Sequence, residues 1–274
     1  MTELPDDVLM RLGPSPQDLT RLGSSRVLRG NGLVAKTGSP EGIAREAFLF
    51  GEAAALLPVG TPTLVASGPD WLLMEDIGGE PASPEDVTPL AQLALVHELF
   101  VGATGIEHER FSDVFGRERE ALLALARGSA NAAALPEPLA GLLEDPAPLD
   151  EIVDAEPRTL VHGDAWSGNV LMRGKDFLWL DWAESGAGPA AYDLSSWLYG
   201  SAWAPGSTSP EGALGAYLAA RTTRVEPYGF KRAVDACAIL GFLLTQLARL
   251  TDREPDLIER VIERRNLIAI GLFD

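Results

Sequence analysis

The chain has 274 residues, and 40 acidic against 22 basic side chains give a formal net charge of −18. That length fills one large domain or two modest ones with a sizeable core, which rules out a small disulfide-stapled fold. A single cysteine, Cys237, leaves no intramolecular disulfide and too few ligands for a thiolate zinc site, and so acidic a chain is a poor partner for nucleic acid, whose phosphates need Lys and Arg.

The first residues carry acids and a proline rather than a basic and then apolar stretch, so no secretory leader is expected. Residues 26–29 and 33–36 are short β-like runs around Gly30-Asn31-Gly32, the pattern of a hairpin. Ser39-Pro40 then offers an N-cap and a first-turn proline for a helix that runs through Ile43 to Leu57, where Pro58 stops it. The apolar runs 63–67 and 71–74 flank Gly68-Pro69-Asp70 and read as a second hairpin.

Beyond Glu75 the pattern turns helical, with helices expected over 84–103, 112–126, 136–143, 190–203, 210–221, 228–250 and 255–270. The longest apolar run, 236–244, is too short to cross a bilayer, so a soluble protein with no membrane partner is expected. One segment interrupts the helices. Residues 158–182 alternate short apolar runs with polar turns, a strand, loop and hairpin arrangement of the kind that displays reactive side chains. No internal repeat or low-complexity tract is visible.

That segment carries the chemistry. It reads Leu160-Val161-His162-Gly163-Asp164-Ala165-Trp166-Ser167-Gly168-Asn169-Val170-Leu171, and later Leu178-Trp179-Leu180-Asp181-Trp182. Asp164, Asn169 and Asp181 sit at the ends of strand-like runs, and two carboxylates with an amide oxygen outline a site for magnesium and phosphate. The D-x-x-x-x-N spacing recurs in the kinase catalytic loop, where the Asp takes the acceptor hydroxyl's proton, the Asn binds metal, and a second Asp follows one hairpin later. Singly, each residue has a blander reading: His162 as a hydrogen-bonded residue that orients the loop, Asp164 and Asn169 as turn residues, Lys36 as a solvated edge lysine. Their conjunction in one order favours the kinase reading. The chain uses three lysines against nineteen arginines, so Lys36 at a strand end suggests a need for a compact point charge.

His162-Gly163-Asp164 through Asn169, with Leu180-Asp181-Trp182, resembles the aminoglycoside phosphotransferase and choline/fructosamine kinase-like superfamily of small-molecule kinases. The resemblance implies an α+β, two-lobed, protein-kinase-like fold with a small β-rich N-terminal lobe (1–75), a larger mostly helical C-terminal lobe (76–274) and a hinge about 74–78. It implies that Asp164 is catalytic, that Asn169 and Asp181 hold Mg2+, and that Asp193, in Tyr192-Asp193-Leu194, braces the catalytic loop. It further implies that Lys36 contacts the phosphates of ATP, held by Glu46 of Arg45-Glu46-Ala47, although Glu52 has a similar apolar setting. Gly23-Ser24-Ser25 would be the phosphate-covering turn, through Ser24 and Ser25, and is poorer in glycine than a protein-kinase loop. The hinge would meet the adenine edge at Glu75 and Ile77. Many relatives carry an acid two residues after the metal-binding Asp; here that position is Ala183 and the acid is Glu184.

The activity implied is ATP- and magnesium-dependent phosphoryl transfer to a hydroxyl of a small molecule, in the cytoplasm. The alternatives are a non-catalytic nucleotide-binding module of the same fold, a kinase for a sugar, amino sugar or amino alcohol, and a metal-dependent hydrolase using His162 and Asp164. The last is short of histidines, since His97 and His108 lie far upstream. Residues 1–75 carry nine acids against six bases (net −3), and residues 76–274 carry 31 against 16 (net −15). Acid concentrated on the acceptor lobe leads to the expectation of a cationic acceptor such as an aminoglycoside.

Overall fold

Asn31 and Gly32 both take positive φ, 48° and 72°, the pairing that folds two strands back with their natural twist. In the computed structural model, which describes residues 3–20, 25–102, 119–199 and 209–273, this turn lies inside an antiparallel sheet. Its strands are β1 (Gln17–Asp18), β2 (Val27–Gly30), β3 (Leu33–Thr37), β4 (Leu64–Ser67) and β5 (Trp71–Glu75), in the spatial order β1-β2-β3-β5-β4. Both expected hairpins are present.

Side chains alternate along a strand, and here the alternation decides what reaches the site. Ala35, with Leu28 and Leu73, faces α1 (Asp6–Leu12), whose Val8 and Leu12 complete a small core. That helix was not foreseen, although Leu4, Val8 and Leu12 recur at the four-residue interval of a buried helical face. The neighbouring positions, Val34 and Lys36, face α2 (Pro40–Phe50); Leu72 stands beside Lys36 in the register, and Ile43, Leu49 and Phe50 pack with it. α2 starts as expected, its first turn capped by the Ser39 side chain, which accepts from the N–H of Gly42. It ends at Phe50 rather than Leu57, and a short 3-10 turn, Ala54–Leu56, follows.

The remainder is mostly helical. β6 (Glu80–Pro81), β8 (Val170–Arg173) and β9 (Asp176–Trp179) make one small sheet, and β7 (Arg158–Val161) pairs with β10 (Gly186–Pro189) in another. β10, Gly-Ala-Gly-Pro, has no strand propensity to find; backbone pairing with β7 makes it a strand. Around these lie α3 (Thr88–Leu99), α4 (Arg119–Arg127), α5 (Glu137–Glu144), α6 (Ala147–Asp154), α7 (Ala190–Tyr199), α8 (Pro210–Ala220), α9 (Pro227–Gly241) and α10 (Pro255–Phe273). α6 was not expected, and α3 starts at Thr88 because Ser83 and Asp86 form a turn ahead of it. Parts of the helices expected over 84–103, 112–126 and 190–203, like His108, Gly23 and Ser24, lie outside the described residues.

α9 continues as a π-helical turn, Phe242–Gln246, and a 3-10 turn, Leu247–Asp252. The helical run Pro227–Leu250 is long and apolar enough to cross a bilayer, longer than the run 236–244 suggested, but 72% of its most apolar stretch is buried inside the protein. It is the spine of the main core, which also holds Trp179, Trp182 and Leu194.

Candidate active site

Lys36 projects from β3 toward α2, and its Nζ is 2.7 Å from Glu46 Oε2 and 2.6 Å from Asp181 Oδ1. Lys36 and Glu46 are both buried, whereas the Asp181 side chain is nearly half exposed. Burial pulls the Lys36 ammonium down, but the two carboxylates outweigh it and its pKa is raised. Glu46 is pushed up to about 7 by burial, which prevails over the lysine's charge. Burial opposes ionisation of Asp181 as well, yet Lys36 wins there and holds that carboxyl below its usual range.

The same helix grips the segment that carries Asp181. Glu46 Oε1 accepts the N–H of Trp182 at 3.1 Å, and Arg45 Nη1 donates to the carbonyl of Ala183 at 2.9 Å. Gly42 permits this approach: a Cβ there would stand 3.1 Å from Ala183 Cβ. Asp181 itself adopts φ 58°, ψ 59°, a left-handed conformation that a non-glycine residue holds only where its surroundings enforce it. Glu52, the other acid considered, is exposed beyond the end of α2; the geometry joins Glu46 to the lysine.

The catalytic-loop residues are tied to one another. Asn169 Nδ2 donates to the carbonyl of Asp164 at 2.9 Å and to its Oδ2 at 2.8 Å. The amide nitrogen is thereby committed, and the amide oxygen is the atom left for a cation. Asn169 is joined in turn to the Asp181 strand, since its carbonyl accepts the N–H of Leu180 at 2.8 Å. His162 links the same two segments: its Nδ1 accepts the Asp164 N–H at 3.2 Å, which leaves the proton on Nε2 to donate to the Leu180 carbonyl at 2.8 Å. The ring packs between Trp179 and Trp182, with centroids 5.2 and 4.6 Å away. His162 is thus an orienting residue, and burial raises the pKa of the neighbouring Asp164. The oxygens of Asp164, Asn169 and Asp181 not used in these bonds are hard donors of the kind magnesium takes. Among the described residues no group of three or more His, Cys, Asp or Glu gathers as a metal cluster.

Beneath the loop runs a buried relay. Asp193 at the start of α7 accepts the N–H groups of His162 at 2.6 Å and Gly163 at 2.9 Å, and its Oδ2 meets His97 Nε2 at 3.0 Å. His97 Nδ1 meets the Tyr217 hydroxyl at 2.7 Å, which accepts from Arg221 at 3.0 Å. Gly163 has φ 85°, and a Cβ on it would fall 2.1 Å from the carbonyl oxygen of Glu184. The contributions of His97 and Tyr217 escaped sequence reasoning; a histidine in an otherwise apolar helix was the one available signal.

The remaining nucleotide-site candidates are more loosely placed. Ser25 lies by Gly38, at the passage from β3 to α2. Glu75 ends β5 and is exposed, and Ile77 follows it, half-buried. Asp76 between them accepts from Arg29 Nε at 2.6 Å and from the Gly78 N–H at 3.0 Å. Gly79, at φ 101°, lies so close to β8 that a Cβ would be 2.6 Å from the Met172 carbonyl oxygen, which fixes the connection between β5 and β6.

A cavity of about 380 Å³ opens beside Asp164, walled by the loop, α7, α9 and α10. Asp164 is the one acid among the described residues that line it, against Arg249, Arg253 and Arg265. The expectation of a cationic acceptor, drawn from summed charge, is not matched by the described lining of this cavity, where three arginines face one acid.

Residues 23–230 match the sequence profile of the phosphotransferase enzyme family. No curated protein sequence matches the chain. Among solved structures it is similar to a choline/ethanolamine kinase family protein from Mesorhizobium loti (16% identity, 98% of this chain and 94% of that one, TM-score 0.63). It is also similar to a macrolide 2'-phosphotransferase from Brachybacterium faecium (24% identity, 95% and 96%, TM-score 0.57). A third is an aminoglycoside phosphotransferase in ternary complex with streptomycin and ATP (16% identity, 100% and 99%, TM-score 0.61). These likenesses establish a shared α+β kinase-like fold, with an antiparallel N-terminal sheet and a helical C-terminal part.

Proposed function

The chain belongs to the phosphotransferase enzyme family, and we propose that it transfers the γ-phosphoryl group of ATP, with magnesium, to a hydroxyl of a small molecule. One observation carries the reading: Lys36 bonds Asp181, the preceding residue Leu180 donates its N–H to the Asn169 carbonyl, and Asn169 in turn holds the Asp164 carboxylate at the mouth of a cavity. A similar structure that holds ATP in a ternary complex supports the choice of nucleotide. The acceptors named for the three similar structures differ in kind and do not choose one here.

In this reading Lys36 exchanges part of its contact with Asp181 for phosphate oxygens of the nucleotide, while Glu46 keeps it in place. The Asp164 carboxylate takes the acceptor's hydroxyl proton as that oxygen bonds to the γ-phosphorus and the bond to the β–γ bridging oxygen breaks, releasing ADP. Asn169 anchors the Asp164 carboxylate for that transfer. Asn169 and Asp181 are the residues that hold magnesium, whose chemistry when bound is to neutralise charge on the phosphate oxygens. ADP release over a panel of hydroxyl compounds, with magnesium and with chelator, tests the proposal. Magnesium-dependent release that requires one class of acceptor supports it, and nucleotide affinity that is the same with and without magnesium counts against it.

A further inference from the structure

Arg265 of α10 lines the cavity and is only 1% exposed. A guanidinium taken so far from water normally meets a carboxylate. Here Nη2 donates to the Tyr199 carbonyl at 3.0 Å and reaches Gln246 Oε1 at 3.5 Å, while Nε and Nη1 have no hydrogen-bond partner among the described residues. Its flat faces are covered, with the Tyr199 and Phe242 ring centroids 5.0 and 5.9 Å from its central carbon. Asp235, which accepts from the Tyr199 hydroxyl, is paired with Lys231. Burial, opposed by nothing stronger than Tyr199, pushes Arg265 down to about 10, so it stays charged at neutral pH.

Two further features converge on this wall. Arg249 and Arg253 line the same cavity. The helix that closes it departs from α geometry there: the π-helical turn Phe242–Gln246 places Thr245 and Gln246 on the lining, and such turns occur frequently at functional sites. The volume, about 380 Å³, suits a small metabolite.

We infer that the acceptor is a small hydroxy compound bearing a carboxylate, its hydroxyl at Asp164 and its carboxylate on the wall made by Arg265 and Arg249. This rests on the phosphotransferase reading for the hydroxyl end; the carboxylate end rests on the Arg265 donors that have no partner among the described residues and on the charge of the described lining. A planar fork of N–H groups matches a carboxylate better than any other common group.

The test uses three chains of one length that differ only in their terminal group: hydroxybutyrate, hydroxybutanamide and aminobutanol. Each is titrated by calorimetry into the full chain, with and without magnesium and ADP, whose own binding is measured separately. Hydroxybutyrate is expected to bind about tenfold more tightly than aminobutanol, and the preference is expected to disappear in Arg265→Gln. Because a buried arginine's replacement can unfold the chain, Arg249→Gln, at an exposed residue, provides the second variant, and it too is expected to narrow the preference. Aminobutanol binding as tightly as hydroxybutyrate, or none of the three saturating at millimolar concentration, overturns the inference. Absence of nucleotide binding overturns the phosphotransferase reading instead, and the titrations without nucleotide still decide the carboxylate site.

Discussion

Lys36 Nζ stands 2.6 Å from Asp181 Oδ1, across 145 residues of sequence. The bond closes the N-terminal sheet onto the segment after β9, and α2 reinforces it through Glu46 and Arg45. Asp181 pairs with the lysine through one oxygen and holds a left-handed backbone to do so, so its environment is built around this position.

Replacing that carboxylate separates cation binding from nucleotide binding. In Asp181→Ala the affinity for ATP is expected to become the same with magnesium and with chelator, whereas the unaltered chain is expected to bind more tightly with magnesium. Calorimetric titration of both proteins checks this, and a magnesium effect that survives in the variant contradicts the assignment.

Glu46 gives the fold a pH dependence with a definite sign. The folded chain holds that proton up to about pH 7, against an ordinary value of 4.5. Between those values the folded state binds more protons than the unfolded one, so stability falls as pH rises across the window. Glu46→Gln is expected to flatten that slope. Thermal midpoints of the two proteins at intervals across the window measure it, and an unchanged slope in the variant refutes it.

The relay under the Asp164 loop leads to the expectation that His97 is a positioning residue. His97→Ala removes one of three donors from the buried carboxylate of Asp193, at a cost of roughly 1–3 kcal/mol before any packing loss. Urea unfolding reads that cost. If the relay sets the loop's geometry, kcat falls while the KM for ATP holds, and His97→Gln, which keeps a donor, recovers part of the rate.

Gly163 is expected to reject any side chain. With φ at 85° and the Glu184 carbonyl oxygen 2.1 Å from where a Cβ would stand, Gly163→Ala strains the loop by roughly 1–3 kcal/mol or more. A lowered thermal midpoint together with lost turnover is the expected outcome.

Much of this was legible in the sequence because its signals are local. Asn31-Gly32 announces its hairpin, Ser39-Pro40 its helix start, and the spacing from Asp164 to Asn169 its loop. β10 was invisible because its pairing with β7 comes from the backbone of a Gly-Ala-Gly-Pro segment, and α1 because the spacing of Leu4, Val8 and Leu12 was hidden behind acids and a proline. Resemblance alone selects Glu46 over Glu52, and the Lys36 contact supplies the physical reason. The lining of the cavity beside Asp164 needed the third dimension: Arg249, Arg253 and Arg265 come from the end of the α9 run and from α10, which meet only in the fold.

The most direct test of the central claim is transfer from γ-labelled ATP across an acceptor panel by the unaltered chain and by Asp164→Ala, with ATP affinity measured on both. Losing the base is expected to lower transfer about a hundredfold or more, while ATP affinity stays within a few-fold. Transfer by Asp164→Ala at the rate of the unaltered chain would contradict the account.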